Sequence, residues 1–279
     1  MYEEYWGLRE KPFENTPNPR FYYRSPEHEE ALARMLYAIR ERKALAVISG
    51  EYGSGKTLLG RALIEELASE RYEVAFLFNP KLSPLQFLKE LLHQLGGKGR
   101  DNDKVRLMRA LNEILYANCR LGKDTIILID EAQAVPSPEV FEEMRLLLNF
   151  QLNERHLLTL LLVGQPELQE KVSAIPQLAQ RVAIHYHLKG LSSDETRHYI
   201  RHRLEIAGAY YDMFEEEAYL LIHEGSEGIP RRINHICDLS LFEGLGERVS
   251  RVGLEIIRGV LEELKIHTRP EKVLRGEGV

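Results

Sequence analysis

Little in the chain ties it to an oxidising compartment, a bilayer or a basic coat. Its two cysteines, Cys119 and Cys237, stand far apart in helix-like segments, and no CxxC pair occurs. That suggests neither a zinc site nor a disulfide framework, and a reducing cytoplasm fits. The longest apolar runs, such as 157–164, are far too short to span a bilayer. The stretch from Met1 to Trp6 is acidic and aromatic, unlike a signal peptide. Positive charge is not in excess: 37 Lys and Arg stand against 43 Asp and Glu, for a net charge of −6. A surface that grips nucleic acid all over is therefore excluded, while a local basic patch is left open. There is no internal repeat and no low-complexity tract. What is present, 44% hydrophobic and 29% charged residues in 279, suits a soluble globular protein of one large or two modest domains.

The first 26 residues are rich in proline and aromatics (Trp6, Pro12, Phe13, Pro17, Pro19, Phe21, Tyr22, Tyr23) and are expected to form an extended arm, not a helix. Ser25 and Pro26 then open a helix whose apolar stripe is Ala31, Leu32, Met35, Leu36 and Ile39. Strand-like runs at 44–49, 74–78, 125–129, 157–163 and 185–188 alternate with helical patterns at 56–69, 84–95, 103–120 and 138–153. Strands apolar on both faces, alternating with helices, predict a parallel sheet covered by helices. From Ser192 on, helices near 193–207, 214–224, 230–246 and 252–265 follow one another with no strand between them. The expected organisation is an arm over 1–26, an α/β core over 27–190, a helical lid over 191–267 and a flexible tail over 268–279.

Gly50-Glu51-Tyr52-Gly53-Ser54-Gly55-Lys56-Thr57 matches the GxxxxGK[ST] phosphate-binding loop, with an apolar strand before it and a helix after it, and these residues with Leu58 are the expected nucleotide-binding set. The glycines let backbone N–H groups turn inward around phosphates, and the helix presents its positive end. Lys56 is placed to reach the β- and γ-phosphates of ATP, and the Thr57 hydroxyl to ligate Mg²⁺. The run Thr125 to Glu131 is an apolar strand ending in two acids. Asp130 is expected in the Mg²⁺ shell, and Glu131 as the group that polarises the attacking water.

Asp130-Glu131-Ala132-Gln133 together with Gly164-Gln165-Pro166-Glu167-Leu168 resembles the ExeA/GspA-type AAA+ ATPases of bacterial secretion systems. The opening Trp6-Gly7-Leu8, Pro12-Phe13 and Pro17-Asn18-Pro19, then His28-x-x-Ala31-Leu32, Gln180-Arg181-Val182 and Gly228-x-Pro230-Arg231 are similar as well. The resemblance covers nearly all of 1–265. It implies a three-layer P-loop AAA+ core with a parallel sheet, followed by a small all-helical lid. It also implies roles for further residues. Gln165 would be the sensor-1 group near the γ-phosphate, and Asn79 would hold Glu131 off-line. Arg181 would be an arginine finger acting on a neighbouring subunit, and Arg231 the sensor-2 group of the lid. The implied assembly is a homo-oligomer, a ring or a filament, that hydrolyses ATP between subunits.

A membrane span and a cell-wall-binding region, which full-length members carry after this module, are not expected in these 279 residues. The expected work is assembly or remodelling of a secretion, polysaccharide-export or pilus machine. Two readings of other classes stand beside it: an ATP-dependent DNA-binding regulator of transposition target choice, and a nucleotide-gated scaffold. The pair His198 and His202 lies four apart on one helix without an evident third zinc ligand. Arg197, Arg201 and Arg203 are interleaved with acids, which favours a salt-bridged helix over a DNA contact. The arm's aromatics are expected to pack over the nucleotide base and the edge of the core.

Overall fold

The computed structural model describes residues 1–16, 18–99 and 101–268. In chain order the elements are α1 (Glu3–Trp6), α2 (Pro26–Arg40), β1 (Leu45–Gly50), α3 (Lys56–Glu66), β2 (Tyr72–Leu77), α4 (Pro84–Gln94), α5 (Lys104–Arg120), β3 (Asp124–Ile129) and α6 (Pro138–Leu147). There follow β4 (Gln151–Leu152), β5 (Arg155–His156), β6 (Leu158–Gly164), α7 (Glu167–Ser173), α8 (Pro176–Ala179), β7 (Val182–Leu188), α9 (Ser193–Ile206), α10 (Glu216–Ser226), α11 (Pro230–Glu247) and α12 (Leu254–Thr268). They divide into two compact units, Arg24–Lys189 and Met1–Tyr23 joined with the residues from Gly190 on.

The Arg24–Lys189 unit is a five-stranded sheet in the order β2-β3-β6-β1-β7, parallel throughout. Alternation along each central strand feeds two cores. Leu45, Val47, Ile127, Ile129, Leu160 and Leu162 face the cluster built with α4, α5, α6, α7 and α8. Ala46, Ile48, Ile126, Leu128, Leu161 and Val163 face the cluster built with α2 and α3. Burial on both faces is why these strands read as continuous apolar runs. The result is the expected three-layer α/β core. Helix starts follow side-chain chemistry: Ser83 forms a capping box with Gln86, and Asp103 accepts from the N–H groups of Val105 and Arg106.

Three expectations about elements are corrected. The helix expected to run to 153 ends at Leu147, and a two-stranded hairpin, β4 with β5, follows it. The strand expected at 185–188 begins at Val182 and is the sheet edge, exposed on alternate residues, not apolar on both faces.

The third correction concerns the arm. Residues 3–6 are helical, and Tyr2, Trp6, Leu8, Phe13 and Phe21 are buried with Tyr199, Phe214, Ile233 and Leu241 of the lid helices. The arm therefore belongs to the lid's core. Polar bonds lock it there. The Trp6 indole donates to the Leu241 carbonyl at 2.9 Å, and buried Arg203 donates to the carbonyls of Pro12 and Glu14 and to the Tyr199 hydroxyl. Arg203 is thus not a surface residue, whereas Arg197 and Arg201 do pair with Glu216 and Asp212. Each aromatic buried in this way contributes about 1.5–3 kcal/mol. The tail expected over 268–279 lies outside the described residues beyond Thr268.

Candidate nucleotide-binding site

Three central strands end in register. Ser49 pairs with Gly164, and Ile129 with Leu162. The 50–57 loop, the Asp130-Glu131 pair and Gln165 therefore emerge together at the carboxyl edge of the sheet. Open parallel sheets bind ligands at that edge, where strand order reverses.

The loop turns through Gly53 (φ 85°) and Gly55 (φ 99°) into α3. Gly55 is required by more than its left-handed backbone, since a Cβ there would stand 2.6 Å from Nε2 of His28. The helix α3 starts on Gly55 with no side-chain cap and no acid in its first turn. Its positive end is thus left to an external anion. Lys56, 5% exposed, donates through Nζ to the Gly50 and Glu51 carbonyls at 2.8 Å each. Burial pushes its ammonium below the ordinary lysine range, against the pull of Glu131 and Asp130. Glu51 and Tyr52 are exposed, Ser54 is buried, and Leu58 is half-buried in the first helical turn.

The Thr57 hydroxyl donates to Asp130 Oδ2 at 2.8 Å, and the Glu131 N–H donates to Asp130 Oδ1 at 2.9 Å. Burial raises the Asp130 carboxyl above the usual carboxylate range, opposed by those two hydrogen bonds. A desolvated carboxylate beside a hydroxyl is an oxygen pair that a hard cation completes, so these residues fit Mg²⁺. Glu131 follows in the left-handed region, φ 52° and ψ 35°, which for a non-glycine residue costs on the order of 1 kcal/mol. Its carboxylate accepts from Gln133 Nε2 at 2.6 Å, and Gln133 Oε1 accepts from the Gln165 N–H at 3.0 Å.

The other expected positions fall as follows. Asn79 is exposed after β2, and its Oδ1 accepts from the Lys81 N–H at 3.3 Å in a local turn. The bond to the Glu131 carboxylate comes instead from Gln133. Arg181 precedes β7 at the opposite, amino-terminal edge of the sheet. There it donates to the Leu148 carbonyl at 2.9 Å and to Asn149 Oδ1 at 2.8 Å, at the end of α6. Arg231 lies in the first turn of α11, directly after Pro230, in the lid unit. His198 bonds the Asp194 carbonyl through Nδ1, and no group of three metal-ligating side chains occurs among the described residues.

Two contributors went without a role in the sequence reading. His28 is buried, with Nδ1 2.7 Å from Ser25 Oγ and Nε2 3.0 Å from the Ser54 carbonyl. A carbonyl only accepts, so Nε2 carries the proton and Nδ1 accepts from the serine hydroxyl, bracing the loop from α2. The only signal for it was the His28-x-x-Ala31-Leu32 pattern. Gln133, the second, stood within the Asp-Glu-Ala-Gln run, but nothing local says where its amide reaches.

The AAA domain family matches residues 39–172. General secretion pathway protein A of Aeromonas hydrophila is 38% identical over 244 residues, which is 86% of this chain and 44% of that protein. The chain thus spans less than half the length of this relative. The ORC2 protein of Aeropyrum pernix in ADPNP–ADP complexes superposes with a TM-score of 0.65 at 17% identity, over 95% of this chain and 74% of that one. Drosophila ORC bound to DNA superposes with a TM-score of 0.69 at 18% identity, over 92% and 65%. At such identities these likenesses speak for the fold. No helix among the described residues is long and apolar enough to cross a membrane. A phosphate-binding loop, an acid pair and a parallel sheet in this strand order, with helices after it, give the chain a P-loop AAA-type fold, and its sequence is similar to that of the ExeA/GspA-type ATPases.

Proposed function

We propose that the chain hydrolyses ATP between the subunits of a homo-oligomer in the cytoplasm, and that turnover drives assembly or remodelling of an export machine. The observation that carries the hydrolytic part is the Thr57–Asp130 bond, which brings the phosphate loop and the acid pair to one sheet edge. In this reading the amides of 53–57 and Lys56 bind and orient the phosphates, with Lys56 giving up its loop carbonyls to do so. Thr57 and Asp130 would hold Mg²⁺, which supplies neutralisation of phosphate charge when bound. Glu131 orients and deprotonates the attacking water, Gln165 reads the γ-phosphate, and Arg231 couples the lid to the nucleotide.

Arg181 serves the neighbour's site, because its own lies a sheet's width away. Six strand residues separate the two edges, roughly 20 Å at 3.3 Å per residue. The export role rests on the relative named General secretion pathway protein A. A DNA-binding role is favoured by fold neighbours bound to DNA, and disfavoured by the net charge of −6.

The test is Glu131→Gln, followed by phosphate release and nucleotide binding. ATP should bind with near-normal affinity and turn over at least about a hundredfold more slowly, as loss of a general base predicts. Turnover within a few-fold of the unmodified protein would sink the assignment.

A further inference from the structure

We infer that Gln133 is a positioning residue for hydrolysis: its amide orients the Glu131 carboxylate and ties it to the chain at the end of β6. The inference rests on the reading of Glu131 as the base.

The side-chain amide of Gln133 can be placed in one sense only. The Gln165 N–H requires an acceptor and the Glu131 carboxylate a donor, so Oε1 faces residue 165 and Nε2 faces residue 131, at 3.0 and 2.6 Å. Reversing the amide would set a donor against a donor and an oxygen against a carboxylate. The backbone on either side is held as well. Lys171 Nζ donates to the carbonyls of Gln133 and Val135 at 2.6 and 3.0 Å, pinning the turn from α7. Gly164 gives the amide its room, because a Cβ there would lie 2.5 Å from Gln133 Oε1.

Glu131 gains direction from this contact. It sits in a left-handed turn and is half-buried, and a carboxylate on three side-chain torsions samples many poses. One oxygen fixed by an amide leaves the other to face water from a defined position, the arrangement in which a third group orients a base. Asn79 is instead bonded within its own turn, where its Oδ1 accepts from the Lys81 N–H. The same amide links the base to the backbone N–H of residue 165, so displacement of that residue is transmitted to Glu131 through the Gln133 side chain alone.

Two isosteric variants separate this role from packing. Gln133→Met keeps the volume and removes both bonds. Gln133→Glu restores an acceptor for the Gln165 N–H but cannot donate to Glu131. The expected result is a kcat at least about tenfold lower in both, with KM and ATP affinity within about threefold, the pattern of an interaction made in the transition state. Added to Glu131→Gln, Gln133→Met should change the residual rate by less than about twofold, because the effect runs through Glu131.

Normal turnover by Gln133→Glu would assign the residue to the Gln165 amide alone and overturn the inference. Faster turnover by either variant would make Gln133 a restraint on Glu131 and overturn it too. Normal turnover by Gln133→Met beside an inactive Glu131→Gln removes the inference and leaves the base; an active Glu131→Gln removes both.

Discussion

Arg181 offers a test whose outcome depends on who sits next door. In its own chain it donates two hydrogen bonds to the end of α6, to the Leu148 carbonyl and Asn149. A guanidinium at a helix carboxyl end is favoured there by the dipole. Arg181→Ala should therefore cost about 1–3 kcal/mol from two hydrogen bonds at about 0.5–1.5 kcal/mol each. That is a fall in Tm of a few degrees, on the order of 2–4 °C per kcal/mol in a protein of this size. A trans finger adds a separate loss of roughly 10³–10⁵ in turnover, or about 4–7 kcal/mol of barrier. The two effects differ in kind, since the first is thermal and the second appears in a folded, ATP-binding protein. Turnover should be measured across a mixing series of Arg181→Ala with Lys56→Ala at fixed total protein. Recovery at intermediate ratios is expected, because one subunit then supplies an intact loop and its neighbour an intact Arg181. Specific activity of the unmodified protein should also rise with concentration as sites are completed on assembly. A straight line between two inactive endpoints, with no concentration dependence, would refute the reasoning and leave Arg181 as a cap on α6.

Three further outcomes follow from the geometry. Lys56→Ala should lose ATP binding by calorimetry while keeping its thermal transition, since the buried ammonium bonds only loop atoms among its described partners; normal affinity would remove the loop assignment. Asp130→Asn should abolish turnover yet leave the protein at least as stable at neutral pH. The Asp130 carboxyl is raised on folding, so the folded state binds the proton more tightly and its stability falls as pH climbs from about 3.9 through the raised value. The difference in Tm between variant and parent should therefore grow from pH 4 to pH 8, and a constant difference would contradict the burial argument. Trp6→Ala should destabilise the lid unit by about 3–5 kcal/mol through the cavity and the lost bond to Leu241; a proteolysis pattern unchanged in lid segments would contradict the arm's place in that core.

The sheet was legible because it is buried on both faces. Ile126 to Ile129 and Leu158 to Val163 feed two cores and so carry no polar residue that would break the run, apart from Thr159. The phosphate loop was legible because its chemistry is local: eight consecutive residues supply the turn, the ammonium and the hydroxyl. Asp130 and Glu131 were legible for the same reason, as the end of a strand. The arm was not. Its proline and aromatic content suited an extended segment, and nothing near it in sequence announces partners such as Leu241 or Arg203, more than 180 positions away. Gln133 and His28 were missed likewise, because an amide or imidazole declares its role through partners the sequence leaves distant, Gln165 and Ser54. The α6 helix ends earlier than its expected bound of 153: Leu148, Phe150 and Leu152 alternate with polar residues at a strand-like period, and the hairpin that follows pairs Gln151 with His156 and Leu152 with Arg155.

The site edge concentrates features that work against stability in the isolated fold. Lys56 is an ammonium held in burial by two carbonyls, Asp130 a carboxylate stripped of water, and Glu131 a non-glycine residue at positive φ. Each lies within a few residues of the end of β1 or β3, where the strands themselves are fully buried and rigidly paired. Such groups persist only when the surrounding structure over-determines them, and the two apolar cores on either face of the sheet do so. A phosphate chain with a divalent cation would relieve the first two at once: the anion meets the ammonium and the open end of α3, and the cation meets the desolvated acid. The strain is therefore best understood as a pre-formed demand for that ligand. It is placed where strand ends hold it still, and it is kept apart from Arg181 by the full length of the strands between them.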